Sequence, residues 1–106
     1  MELTKNVNIQ DIISKSLKIS ISYAQYREIV ENLVVNKSTS GAVITDDLIN
    51  YTMLNDRRMN RWDKTIKITQ VIKEKISSFK EDVTWLVLTE SWCGDAAHVI
   101  PVINKI

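Results

Sequence analysis

The single cysteine of this sequence, Cys93, is the residue best suited to nucleophilic chemistry, and it stands in the run Trp92-Cys93-Gly94-Asp95-Ala96. If a helix opens at Gly94, the thiol sits at its N-terminus. There the unpaired N–H groups and the helix dipole favour a thiolate. The competing state of a free cysteine is an inert thiol buried among apolar groups. Asp95 falls in the first helical turn, where a carboxylate supports the helix start. The same charge beside a thiol opposes thiolate formation, so its two effects have opposite sign. His98, the only histidine, lies three residues after Asp95, and a surface contact between the two is expected. It lies five residues beyond Cys93, about 140° around a helix, which places a direct Cys–His pair poorly. Cys93, Asp95 and His98 therefore make no triad, and they are too few for a metal site.

These residues need elements to hold them. Val83-Thr84-Trp85-Leu86-Val87-Leu88-Thr89 is β-branched and aromatic with no breaker, and it predicts a strand at about 83–89 covered on both faces. Glu90-Ser91-Trp92 reads as a turn, and a helix containing Pro101 is predicted from about residue 94. Upstream, the apolar spacing predicts about four helices. The first runs from about Ile9 to Leu17. The second, capped by Ser20 or Ser22, presents Tyr23, Tyr26, Ile29, Val30, Leu33 and Val34 at helical spacing, with a weak Arg27–Glu31 pair expected on the polar side. It stops in the loop Asn36-Lys37-Ser38-Thr39-Ser40-Gly41. The third, capped by Thr45 or Asp46, repeats through Leu48, Tyr51, Asn55, Arg58 or Met59, and Trp62. The fourth begins near Thr69, with Val71, Ile72, Ile76 and Phe79 as its stripe. Trp62 and Trp85 are expected as core or helix-packing residues.

The segment from Trp85 to Pro101 resembles thioredoxin-family proteins. In that family a buried strand leads into Trp-Cys-Gly-Pro-Cys, and a proline follows five residues after the second cysteine. Trp92, Cys93 and Gly94 match, and Pro101 stands five residues after Ala96. The helical portion ahead of it is similar to the N-terminal extension of bacterial thioredoxin-like proteins. The resemblance implies an α/β thioredoxin-like fold, present here in incomplete form. A helical extension would occupy residues 1–80, and the first strand and active-site helix residues 81–106. It implies Cys93 as candidate nucleophile, with Trp92, Gly94 and Asp95 around it. Asp95 replaces the motif proline and Ala96 the second cysteine. Without a resolving thiol, any exchange chemistry requires an outside thiol such as glutathione. Thirteen residues follow Cys93, so the domain is expected to be truncated after the active-site helix and to self-associate through its unpaired strand.

Composition narrows the rest. Two glycines and one proline argue for long helices over a turn-rich β fold. A net charge of +1 gives no reason to expect a nucleic-acid partner. No apolar run approaches the roughly 20 residues of a membrane helix, and no leader pattern opens the sequence. A reducing cytoplasm is the expected location, and no bound cofactor or metal is expected. The polar and basic stretch Asn55-Asp56-Arg57-Arg58-Met59-Asn60-Arg61-Trp62 reads as a solvated helix face or, alternatively, as a docking surface for an anionic group such as a glutathione carboxylate. The functional expectation is a monothiol thioredoxin-like protein in thiol–disulfide exchange or thiol sensing. The alternative is a non-enzymatic binding module with a residual, redox-inactive motif.

Overall fold

A computed structural model describes residues 8–106. Among the described residues there are five helices: α1 Ile9–Ile19, α2 Tyr23–Val35, α3 Asp46–Thr65, α4 Gln70–Ser77 and α5 Gly94–Lys105. Local chemistry fixes their starts. Asn8, Thr45 and Thr69 each accept a backbone N–H with their side chains, at Asp11, Leu48 and Ile72. Ser22 and Gln25 form a reciprocal capping box at the head of α2. That helix ends with Lys37 N–H donating to the Val34 carbonyl and Ser38 N–H to that of Leu33. This closure demands a left-handed residue, and Lys37 takes it at φ 52°, a place that glycine fills at lower cost. Asp46 and Asp47 in the first turn of α3 and Lys64 in its last turn suit its dipole.

The central element is α3, which packs against α2 on one side and α5 on the other. Val30, Met59 and Ala97, one from each helix, form the buried apolar core, with Tyr26 packed on it. The face that α3 buries is Thr52, Asn55 and Met59. The predicted face ran through Leu48, Tyr51 and Trp62 as well, but Tyr51 and Trp62 are exposed. Their placement follows from what the neighbours offer: a polar seam that needs hydroxyl and amide partners draws Thr52 and Asn55 inward.

The α/β expectation fails. Among the described residues there is no strand, and the segment expected as a strand at 83–89 has no regular structure. None of its backbone groups joins a ladder of hydrogen bonds. A strand needs a partner at hydrogen-bonding distance. Among the described residues no second segment is hydrogen-bonded to its backbone, and residues 83–88 are exposed. Trp85 is 57% exposed and Leu88 91%. Trp85 and Trp62 are thus outside the core, and Trp62 meets the other expectation by packing against His98 of α5. The fourth stripe fares likewise, since α4 buries no residue and Val71, Ile72 and Phe79 are exposed. The segment instead separates two apolar grooves. One, of about 600 Å³, lies towards α4 and the end of α5 and is lined by Ile72, Phe79, Trp85 and Ile103. The other, of about 640 Å³, lies towards α1 and α2 and is lined by Leu17, Tyr26, Leu86 and Ile100.

Candidate functional site

Cys93 is the N-cap of α5, with extended backbone at φ −77° and ψ 111°. Its side chain makes no capping bond, and the thiol is free and half-buried. The backbone around it is closed by Cys93 N–H donating to the Glu90 carbonyl at 3.1 Å and Ala97 N–H donating to the Cys93 carbonyl at 3.2 Å. Gly94 and Asp95 form the first turn, and Asp95 is exposed to solvent. Pro101 sits inside the helix with its ring buried. It removes the N–H that would have bonded the Ala97 carbonyl. Trp92 is 38% exposed beside the thiol.

Hydroxyl groups, rather than a strand, hold the turn before Cys93 in place. Thr39, Thr52 and Ser91 meet in a buried triangle, with oxygen separations of 2.8 Å from Thr52 to each of the others and 3.2 Å between Thr39 and Ser91. The backbone N–H of Ser91 donates to Ser40 Oγ at 2.7 Å, and the N–H of Ser40 donates to Ser91 Oγ at 2.9 Å. Ser40 Oγ in turn donates to the Glu90 carboxylate. Asn55 Nδ2 completes the set by donating to the Ser91 carbonyl at 3.0 Å. Every buried side-chain polar atom among the described residues finds a partner. Such a fully satisfied network specifies one geometry, because each alternative leaves a buried donor or acceptor unmet.

A second polar seam joins α2 to α3. The Arg27 guanidinium is buried and pairs with Asp56 at 2.8 Å and Asp63 at 3.6 Å, while donating to Asn60 Oδ1 at 2.8 Å. The expected Arg27–Glu31 surface pair is therefore replaced by an inter-helix one. Tyr23 donates its phenol hydrogen to Asp63 at 2.9 Å. Burial, followed by the hydrogen bond and charge of Asp63, pushes the Tyr23 phenol above its ordinary range. Burial also raises Tyr26, while Thr89 and the Arg27 charge pull it back and the charges of Cys93 and Glu90 add to the rise. Tyr26 thus brings a phenol from α2 to the vicinity of the thiol.

The structure does not pair His98 with Asp95. Trp62 Nε1–H donates to His98 Nδ1 at 2.8 Å, with the two rings edge-to-face at 6.1 Å. An imidazole accepting at Nδ1 carries its proton on Nε2. The bond ties α3 to α5, and it draws His98 to a neighbouring helix that spacing within one helix cannot reveal. Among the described residues no group of three or more His, Cys, Asp or Glu side chains is placed to hold a metal, and no helix is long and apolar enough to cross a membrane.

Of the basic stretch, Arg57 and Arg61 point to solvent, while Arg58 turns towards the motif. Its Nη1 donates to Asn55 Oδ1 at 3.2 Å and lies 3.3 Å from where a Cβ on Gly94 would stand. A Cβ there would press on the guanidinium, the movable end of a flexible side chain. The sequence reading missed Thr39, Thr52, Asn55 and Ser91 as supports of the site. Their one signal was the spacing Thr52-x-x-Asn55-x-x-x-Met59, a stripe at helical period that mixes polar and apolar residues.

A thioredoxin family model matches residues 41–106, taking in α3 and α4 as well as the Cys93 motif. Neither the search of curated proteins nor that of solved structures returns a match. The family match spans more than half of the chain, and with Cys93 at the head of its helix it establishes that this protein belongs to the thioredoxin family.

Proposed function

We propose that the protein takes part in thiol–disulfide exchange as a monothiol member of its family, with Cys93 as nucleophile and the cytoplasm as its place of action. The observation that carries this reading is the placement of a free, half-buried thiol at the N-cap of α5, with no side-chain capping bond to occupy it. In the reaction the Cys93 thiolate attacks one sulfur of a disulfide. A new bond joins Cys93 to that sulfur, and the other sulfur leaves as a thiolate that takes a proton from water. Ala96, one turn into α5, supplies no second thiol, so the adduct persists until an outside thiol such as glutathione attacks it. The clasp through Ser40, Ser91 and Asn55 keeps the turn that carries Cys93 from opening.

The test is incubation of the reduced chain with 2-hydroxyethyl disulfide, followed by intact-mass spectrometry. The expected result is one adduct at Cys93, removed by added glutathione and absent from Cys93→Ser. A second reading is a binding module whose motif is redox-inactive, and the exposed apolar run Val83–Leu88 between two grooves favours it. A thiol that stays unmodified under these conditions decides for that reading.

A further inference from the structure

We propose that Arg58 makes Cys93 selective for disulfides that carry a carboxylate near the sulfur. The inference rests on the exchange activity proposed above and names the substrate class of that site.

Two arginines of the molecule are drawn inward, and they are treated differently. Arg27 is neutralised by Asp56 and Asp63. Among the described residues, no carboxylate forms an ion pair with Arg58. Its bonded partner is the neutral Asn55 amide, which is itself fixed to the Ser91 carbonyl. This chain of two bonds anchors the guanidinium to the turn that carries Cys93. It rests against Gly94, the residue next to the thiol.

A cation in that place runs against the usual preference, because the N-terminus of a helix already carries partial positive charge. Guanidinium and helix end together put positive charge at the turn that carries the nucleophile. An arginine has five N–H donors in a planar fork, and Asn55 takes one of them. The free donors match a carboxylate in geometry as well as in charge. Two acidic groups lie nearby, and neither neutralises the guanidinium. Glu90 accepts from Ser40, and Asp95 is exposed in the first turn. Asp95 lowers the local potential and sets a limit on the selectivity.

A disulfide bearing a carboxylate a few bonds from sulfur would place that group on Arg58 as its sulfur meets Cys93. The exchange itself is unchanged: the Cys93–sulfur bond forms, the original S–S bond breaks, and the leaving thiolate takes a proton from water. Arg58 acts by holding and orienting the substrate.

The experiment uses the full chain and three symmetrical disulfides: 3,3′-dithiodipropionate (anionic), 2-hydroxyethyl disulfide (neutral) and cystamine (cationic). Adduct formation at Cys93 is timed by intact mass at low and high salt. The expected order is anionic, neutral, cationic, with the anionic reagent favoured over the neutral one by roughly three- to tenfold at low salt and less at high salt. Arg58→Gln should abolish that preference, and Arg58→Lys should restore part of it. Equal rates for the three reagents in the parent, or a preference that survives Arg58→Gln, overturns the assignment while the exchange reading stands. No adduct with any reagent overturns both. Circular dichroism of both variants separates a loss of charge from a loss of fold.

Discussion

Two halves of this molecule solve the problem of order by different means. Where α2, α3 and α5 meet, the apolar core is small, with Val30, Met59 and Ala97 at its centre. Most of what else is buried there is polar, namely Arg27, Thr39, Thr52, Asn55 and Ser91. The other half comprises α1, α4 and the run from Val83 to Leu88. It is richer in large apolar side chains, yet neither helix buries a residue and the run stays exposed. Hydrophobicity alone does not order a segment. The hydrophobic term is non-directional and acts only where a complementary surface removes area from water. Hydrogen-bonded groups impose geometry even in a thin core, because a buried group without its partner is costly. The Cys93 motif hangs from the second kind of order.

The largest effect is expected from breaking the polar seam. Arg27→Ala leaves Asp56 and Asp63 facing each other without their cation, and should cost about 3 kcal/mol in urea denaturation. A loss under ~1 kcal/mol would make the seam a surface feature. Thr52→Val keeps the side-chain shape and removes the hydroxyl that joins Thr39 to Ser91. It should cost about 1–2 kcal/mol and slow adduct formation at Cys93, since it loosens the turn ahead of the thiol. An unchanged rate would detach the triangle from the site.

The seam also carries a pH dependence. The Tyr23 phenol is raised in the folded state, so its contribution is fully present below its unfolded pKa of about 10 and is lost as pH rises beyond it. Tyr26, raised in the same direction, adds to this trend. Stability measured by denaturation should therefore fall above pH ~10, and Tyr23→Phe should flatten the fall. A fall of equal steepness in that variant would assign it to other groups. The smallest effects separate the halves most clearly. Lys37→Gly relieves a left-handed backbone and should add about 0.5–1 kcal/mol. Leu88→Ser, in the open half, should change stability by less than ~0.5 kcal/mol. A loss above ~1.5 kcal/mol there would show that the run is packed in solution.

Local signals were legible in the sequence. Capping residues at Ser22, Thr45 and Thr69 mark the starts of α2, α3 and α4, and the thiol at the head of α5 follows from the Trp-Cys-Gly run. The long-range partners were not. A β-branched run such as Val83–Leu88 has strand propensity, but a strand exists only through a neighbour, and among the described residues none bonds to this one. Trp62 finding His98, and Arg27 finding Asp56 and Asp63, are contacts across helices that periodicity along one helix cannot report. The polar stripe of α3 was hidden for a further reason. Reading apolar residues as the buried face assigns Thr52 to the outside, whereas its hydroxyl has two partners waiting inside.

Amide hydrogen exchange with peptide-level mass spectrometry tests the division most directly. The account predicts slow exchange through Thr52–Asn60 and at Ser91 and Ala97, whose amides sit in α3 or donate to Ser40 and to Cys93. It predicts exchange near the unstructured rate across Val83–Leu88. Protection of Val83–Leu88 equal to that of α3 would mean that its backbone is paired, and would contradict the claim that polar bonds, with no strand, position Cys93.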